Sequence, residues 1–212
     1  MKQQGLGFES FEALSHDAGS QGIQAPVQLI SGYLNADQQA ALLNEVDTYP
    51  LTRPEIHVYG QHHAIPRTQV WFGDSGCDYL YSGLFVKALS WPKYAGKLRD
   101  KLRRDFGITA NGVLVNRYAN GQDSMGWHCD DEPEILACSD IASISIGASR
   151  DFVIRHKASQ QQYRIPLHSG DLLIMHAPMQ DEWEHCVPKR LKVLEPRVNF
   201  TFRELIKHYH SA

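Results

Sequence analysis

No uninterrupted apolar run in this chain approaches the roughly 18 residues that a bilayer-spanning helix requires, so no segment reads as transmembrane. The first residues are polar and acidic and lack the basic-then-apolar pattern of a secretory leader. The cytoplasm is therefore the expected compartment, or the nucleus in a eukaryotic source. Cysteine is scarce: Cys77, Cys129, Cys138 and Cys186 form neither a C-x-x-C pair nor a zinc-finger spacing. In a reducing compartment they are expected to remain free thiols. An internal repeat is also missing, which sets solenoids and propellers aside.

Excess positive charge is absent from the whole, since the formal net charge is −3. The distribution is uneven, however. Residues 1–60 hold 7 acids and 2 bases, whereas the remainder holds 17 acids and 19 bases. Lys87, Lys93, Lys97, Arg99, Lys101, Arg103 and Arg104 lie in one stretch with Asp100 as its only acid. Such clusters permit a nucleic-acid partner without requiring one, because a basic run is more often a solvated face than a phosphate contact.

What the chain does have is length for one substantial core. Residues 1–25 are rich in Gly, Ser and Gln with little periodicity, and are expected to be loosely held. Asn35, with Gln38 three residues on, forms a capping box for a helix to about Thr48 that buries Leu42, Leu43 and Val46. A second helix is expected from Pro92 to Phe106, with Gly107 as its stop. From Asn111 onward, β-type runs at 112–118, 125–130, 141–148, 151–156, 163–167, 171–176, 183–187 and 197–204 alternate with turn signals such as Asn120-Gly121. Many short strands with little helix imply a sandwich or barrel. The fold class is mainly β with flanking helices, as one domain over 26–212.

One stretch carries chemistry. In Gly126-Trp127-His128-Cys129-Asp130, an imidazole and a carboxylate two residues apart on a strand project from one face. An isolated His-x-Asp is more often an exposed loop or a hydrogen-bonded pair. His185, on its own strand-like run, supplies a second imidazole. Two histidines and one carboxylate match the facial triad of non-haem Fe(II) oxygenases, which leaves coordination positions open. Downstream, Arg197, Asn199, Thr201 and Arg203 alternate with Val198, Phe200 and Phe202. The polar row could face solvent, or its guanidinium groups could hold a dicarboxylate through paired charge-assisted hydrogen bonds.

These residues together resemble the AlkB family of Fe(II)/2-oxoglutarate dioxygenases, with the nearest likeness to its homologue 2 branch of nucleic-acid demethylases. The resemblance rests on Asn116-Arg117-Tyr118, His128-x-Asp130-Asp131-Glu132, His185 and Arg197-x-Asn199-x-Thr201-x-Arg203. It extends from about Val58 to Leu205 through Ile65-Pro66-Arg67-Thr68-Gln69, Tyr81-Ser82-Gly83 and Arg150-Asp151-Phe152. It implies a double-stranded β-helix, or jelly roll, with its core at about 111–205 and a nucleotide-recognition lid at about 54–83. It implies Fe(II) on His128, Asp130 and His185, with 2-oxoglutarate and O₂ as co-substrates. Asn116, Tyr118, Arg197, Asn199, Thr201 and Arg203 would hold 2-oxoglutarate, Arg197 at its distal carboxylate.

The same resemblance assigns substrate contacts to Tyr59, Arg67, Tyr79, Tyr81, Asp131 and Glu132. Tyr81 would stack on a flipped base against His128, Tyr59 would wedge into the duplex, and the two acids would favour a cationic base. The implied reaction is oxidative demethylation of N1-methyladenine or N3-methylcytosine in DNA by a monomer, with release of formaldehyde. Three alternatives stay open: the same chemistry on RNA or tRNA, a hydroxylase of a protein or small molecule, and a non-catalytic nucleic-acid-binding module. The last has no use for an intact triad and two arginines.

Overall fold

The computed structural model describes residues 12–13, 24–58, 61–81 and 84–211. Most of the segment expected to be loosely held, and Tyr59, lie outside the described residues. In chain order the elements are β1 (Glu12–Ala13), β2 (Val27–Ile30), α1 (Ala36–Val46), β3 (Glu55–Val58), β4 (Gln61–Ala64), β5 (Thr68–Gly73), β6 (Tyr79–Tyr81), β7 (Leu84–Val86) and α2 (Lys93–Phe106). There follow β8 (Gly112–Tyr118), β9 (Met125–His128), β10 (Ile141–Gly147), β11 (Arg150–His156), β12 (Gln162–Leu167), β13 (Leu172–Met175), α3 (Met179–Glu182), β14 (Trp183–Val187) and β15 (Arg197–Arg203). A 3₁₀ turn, Tyr209–Ser211, comes last.

The strands from β8 onward are the eight runs legible in the sequence. They divide between two antiparallel sheets, alternating except at β11 and β12, which are consecutive and pair with each other in the smaller one. The larger runs β2-β13-β10-β15-β8-β5 and the smaller β1-β12-β11-β14-β9. This distribution is that of a jelly roll, as expected. Two hairpins, β3-β4 and β6-β7, stand apart as two-stranded sheets. The lid expected at 54–83 is therefore not continuous, because β5 pairs with β8 at the edge of the larger sheet.

Alternation on β15 explains why the two faces of the larger sheet differ. Val198, Phe200 and Phe202 join Leu42, Val46, Leu98 and Leu102 in a core on the outer face, beneath both helices. Each fully buried side chain of this kind contributes roughly 1.5–3 kcal/mol. The inner face, towards the smaller sheet, carries Arg197, Asn199, Thr201 and Arg203, all buried. A second core between the sheets, including Ile154, Ile165, Leu173 and Trp183, closes the far end of the sandwich.

The helices follow their sequence signals with one exception. The capping box is formed, with Asn35 Oδ1 accepting from Gln38 N–H at 2.9 Å. Leu43, expected inside, is 39% exposed; at 100° per residue it leaves the face that Leu42 and Val46 share one turn apart. Pro92 precedes α2 as its cap residue and offers no side-chain acceptor. Glu45 of α1 does so instead, accepting from the N–H groups of Tyr94 at 2.8 Å and Ala95 at 3.1 Å. A carboxylate at a helix N-terminus is favourable there, and it ties the two helices together.

Candidate metal centre

His128 and His185 sit directly opposite each other on neighbouring antiparallel strands, so their side chains must share a face. Their ring centroids are 4.2 Å apart. His128 Nδ1 lies 2.9 Å from the carbonyl of Gly126, a contact that assigns the proton to Nδ1 and leaves Nε2 as the free lone pair. Asp130 arrives differently from the strand alternation expected of 125–130. β9 ends at His128, and Asp130 is buried two residues beyond the ladder. Its N–H donates to Gln180 Oε1 at 2.9 Å, and its Oδ1 accepts from Arg203 Nη2 at 2.6 Å. One ligand atom from each of His128, Asp130 and His185 falls within 4.8 Å of the others.

The electrostatics suit a cation. Burial, reinforced by His128, pushes His185 down to about 3 against the pull of Asp130, so its imidazole is neutral. Burial works to raise Asp130, but Arg203, His185 and His128 override it and hold the carboxyl at about 2. The site therefore presents a neutral imidazole at His185 and an ionised carboxylate at Asp130, donor types that divalent iron takes.

Above the triad lies the inner face of the larger sheet. Arg197 pairs across the ladder with Tyr118, and Asn199 with Asn116. Arg197 Nη2 donates to Ser145 Oγ at 2.8 Å and to Asn199 Oδ1 at 2.9 Å, and Ser143 Oγ donates to the same oxygen at 2.9 Å. Asn199 Nδ2 then donates to Thr201 Oγ1 at 2.8 Å. The row is thus rigid, yet Nε and Nη1 of Arg197 and Nε of Arg203 are buried without a hydrogen-bond partner among the described residues. Burial lowers Arg197 to about 10, still charged at neutral pH. Of the two buried guanidinium groups, Arg203 is paired with the buried carboxylate of Asp130, whereas the hydrogen bonds of Arg197 go to Ser145 and Asn199. Unsatisfied buried donors of this kind are costly, and a small dicarboxylate would satisfy them. One pocket is lined by the triad, by Asn116, Tyr118, Asn199 and Thr201, and by both arginines. The donor set and the orphaned N–H groups fit Fe(II) and 2-oxoglutarate.

Residues expected to touch substrate are placed unevenly. Asp131 is exposed beside the triad. Glu132 accepts a hydrogen bond from Tyr79 Oη, and burial, with Asp130, raises its carboxyl against Arg203. Tyr79 does not present a free ring. It is fully buried, stacked on Trp71 at 4.7 Å between centroids, and turns its hydroxyl to Glu132 and to Arg203 Nη1. Arg67 is also buried, donating from Nε to Asn116 Oδ1 at 2.9 Å. Only the backbone of Tyr81, in β6, is described.

Ser143, Ser145 and Gln180 were not singled out from the sequence. The two serines could have been found, because Ser143 and Ser145 alternate with Ile144 and Ile146 as polar members of a buried strand. Gln180 carries no such signal, since it reaches Asp130 from a single-turn helix 50 residues on.

The profile of the 2OG-Fe(II) oxygenase superfamily matches residues 26–203. The chain is similar to DNA oxidative demethylase ALKBH2 of Homo sapiens, 39% identical over 196 residues that cover 88% of this chain and 75% of that protein. It is 31% identical over 202 residues to the protein of the same name from Arabidopsis thaliana, covering 82% of this chain and 64% of that one. Similarity to alkB homolog 3 of Homo sapiens, an alpha-ketoglutarate-dependent dioxygenase, reaches 38% over 148 residues, 65% of this chain and 51% of that one. Among solved structures, OsALKBH1 superimposes with a TM-score of 0.61 at 17% identity, covering 87% of this chain and all of that one; this likeness concerns the fold.

Proposed function

Because the chain belongs to the 2OG-Fe(II) oxygenase superfamily and, within it, to the AlkB family, we propose that this dioxygenase is an oxidative demethylase of N-alkylated bases in DNA. Fe(II) and 2-oxoglutarate are its cofactor and co-substrate. With O₂ they supply the oxidising power that turns an N-methyl group into a hydroxymethyl group, which leaves as formaldehyde.

The observation that carries this reading is the pair of buried arginines, with unpaired N–H groups, lining the same pocket as the triad. His128, Asp130 and His185 would hold the metal. Arg197 would grip the distal carboxylate of 2-oxoglutarate, and Arg203 the end nearer Asp130. Asn116, Tyr118, Asn199 and Thr201 would orient the molecule between them. Phe152, Met125, Met175 and Val187 form the apolar wall, which keeps bulk water from the reacting centre.

Substrate choice rests on charge and access. A base inside a duplex must be flipped out to reach the triad, and a methyl group that blocks pairing lowers that cost. N1-methyladenine and N3-methylcytosine carry positive charge, and Asp131 and Glu132 flank the triad with carboxyl groups suited to it. The names of the ALKBH2 relatives agree with DNA as the polymer.

The test is formaldehyde release from a DNA oligonucleotide with one N1-methyladenine, beside its RNA counterpart, omitting Fe(II), 2-oxoglutarate and O₂ in turn. Release from DNA that needs all three is the expected result, and faster release from RNA would move the assignment to that polymer. Succinate without formaldehyde from either would overturn demethylation while keeping the dioxygenase.

A further inference from the structure

The hairpin β6-β7 borders the site, because Tyr79 of β6 bonds both Arg203 and Glu132. A lone two-stranded hairpin is marginally stable in water, so other groups must hold it there. One is Trp71, stacked on Tyr79 and donating from its indole N–H to the Cys77 carbonyl at 2.8 Å. Another is Glu134, 1% exposed, whose Oε1 accepts the N–H of Leu80 at 2.6 Å. Glu134 lies four residues after Asp130, on the loop that also carries Glu132.

A buried carboxylate needs compensation, since an unpaired one is expensive. Among the described residues the one basic side chain within ion-pair distance is His210, whose Nε2 lies 3.2 Å from Glu134 Oε1 without forming an aligned hydrogen bond. The other oxygen, Oε2, has no hydrogen-bond partner among the described residues. His210 belongs to the terminal 3₁₀ turn, and its ring meets Phe85 of β7 edge-on, with centroids 5.8 Å apart at 89°. The turn is itself anchored: Ile206 N–H donates to the Glu134 carbonyl at 2.8 Å, and His208 N–H to the Gly76 carbonyl at 2.7 Å. One side chain thus touches β7 directly and β6 through Glu134.

We propose that His210 and Glu134 are positioning residues that clamp the β6-β7 hairpin over the site, so that the C-terminal turn governs how tightly a polynucleotide is held. In its kinetic half this rests on the function proposed above. The clamp acts chiefly on the polynucleotide: no described residue of β6 or β7 lines the pocket assigned to 2-oxoglutarate, and the hairpin reaches it only through the Tyr79 hydroxyl on Arg203.

The experiment compares wild type with His210→Ala, His210→Gln and His210→Phe. Amide hydrogen exchange comes first, because it needs no substrate. In His210→Ala, exchange at Leu80 and in β6-β7 should accelerate about tenfold, the loss expected for one buried polar contact, while β10 and β15 remain protected. His210→Gln, which keeps a donor, should recover much of the protection, whereas His210→Phe, which keeps only the ring, should not. With methylated oligonucleotide, His210→Ala should raise KM about tenfold and leave the KM for 2-oxoglutarate, and succinate formation without oligonucleotide, within about twofold. Unchanged exchange in β6-β7, or acceleration spread equally over the sheets, would overturn the clamp. If wild type releases no formaldehyde but His210→Ala loosens the hairpin, the clamp stands and the substrate reading fails.

Discussion

Arg203 Nη2 donates to Asp130 Oδ1 at 2.6 Å, with the two side chains 3% and 4% exposed. A buried pair loses most when one partner is removed, about 3–5 kcal/mol, because the other charge is left uncompensated. Arg203→Met should therefore destabilise the metal-free protein by about that amount in urea unfolding. Saturating Mn(II) should recover part of the deficit, since a divalent cation replaces the missing charge beside Asp130. Equal deficits with and without Mn(II) would show that Arg203 does not act through Asp130. The pH dependence has a definite sign. Asp130 is held at about 2, below the ordinary 3.8, so its contribution is present above that ordinary value and is lost as pH falls towards 2.

Arg197 should behave in the opposite way. It is equally buried, but among the described residues it has no carboxylate partner and two of its nitrogens are unsatisfied. A site built for a ligand is strained without it. Arg197→Met should leave the urea midpoint of the ligand-free protein unchanged or raise it, while raising the KM for 2-oxoglutarate by about 100-fold, the cost of two charge-assisted hydrogen bonds. A large stability loss with an unchanged KM would assign Arg197 to the core instead.

This difference between two similar arginines marks where the sequence stops being legible. Alternation placed Arg197 and Arg203 on one face, and turn residues bounded every strand from β8 to β15, because period-2 patterning acts locally. The partners of those arginines are set by pairing over long distances. Asp130 is 73 residues from Arg203, and Tyr79 is 124. The resemblance assigns Tyr79 and Arg67 to substrate, and nothing in their sequence neighbourhoods announces Trp71 stacked beneath one or Asn116 beside the other. β5 falls within the stretch that the resemblance assigns to a lid for the same reason: its place in the larger sheet depends on pairing with β8, as of Val70 with Val115.

Gln180 is the residue whose importance is visible only in three dimensions. It pins the backbone of Asp130 where the β ladder has ended. Groups that orient a metal ligand typically cost 10–100-fold in affinity when removed. Gln180→Ala should weaken Co(II) binding by about tenfold, and Gln180→Glu, which keeps an acceptor, should lose less. Calorimetric titration of Co(II) makes the comparison, and equal affinities for wild type and Gln180→Ala would remove Gln180 from the site.

The thiols should label in an order set by burial. Cys138 is exposed, whereas Cys77 and Cys186 are buried. Burial raises Cys77 and pushes Cys186 up to about 11, so neither offers much thiolate near neutral pH. Iodoacetamide at about pH 8 should modify Cys138 first and Cys186 only on unfolding. Peptide mapping reads the order directly, and early labelling of Cys186 would mean that β14, which carries His185, opens in the native state.

Gly121 joins the two loops that flank the site strands. Its N–H donates to the Val193 carbonyl at 2.7 Å, and its carbonyl accepts from Arg190 N–H at 2.8 Å. The turn between β8 and β9 is thereby fastened to the loop between β14 and β15. A Cβ at Gly121 would lie 1.6 Å from the Arg190 carbonyl oxygen, a backbone atom that cannot swing aside. Gly121→Ala must separate the loops and break both hydrogen bonds, costing about 1–3 kcal/mol. The strands that diverge at this junction carry Tyr118, His128, His185 and Arg197. The variant should therefore lose affinity for Co(II) and for 2-oxoglutarate together, unlike Gln180→Ala, whose effect should fall on the metal alone. A Gly121→Ala protein with wild-type stability and both affinities intact would show that the junction does not hold the site in register.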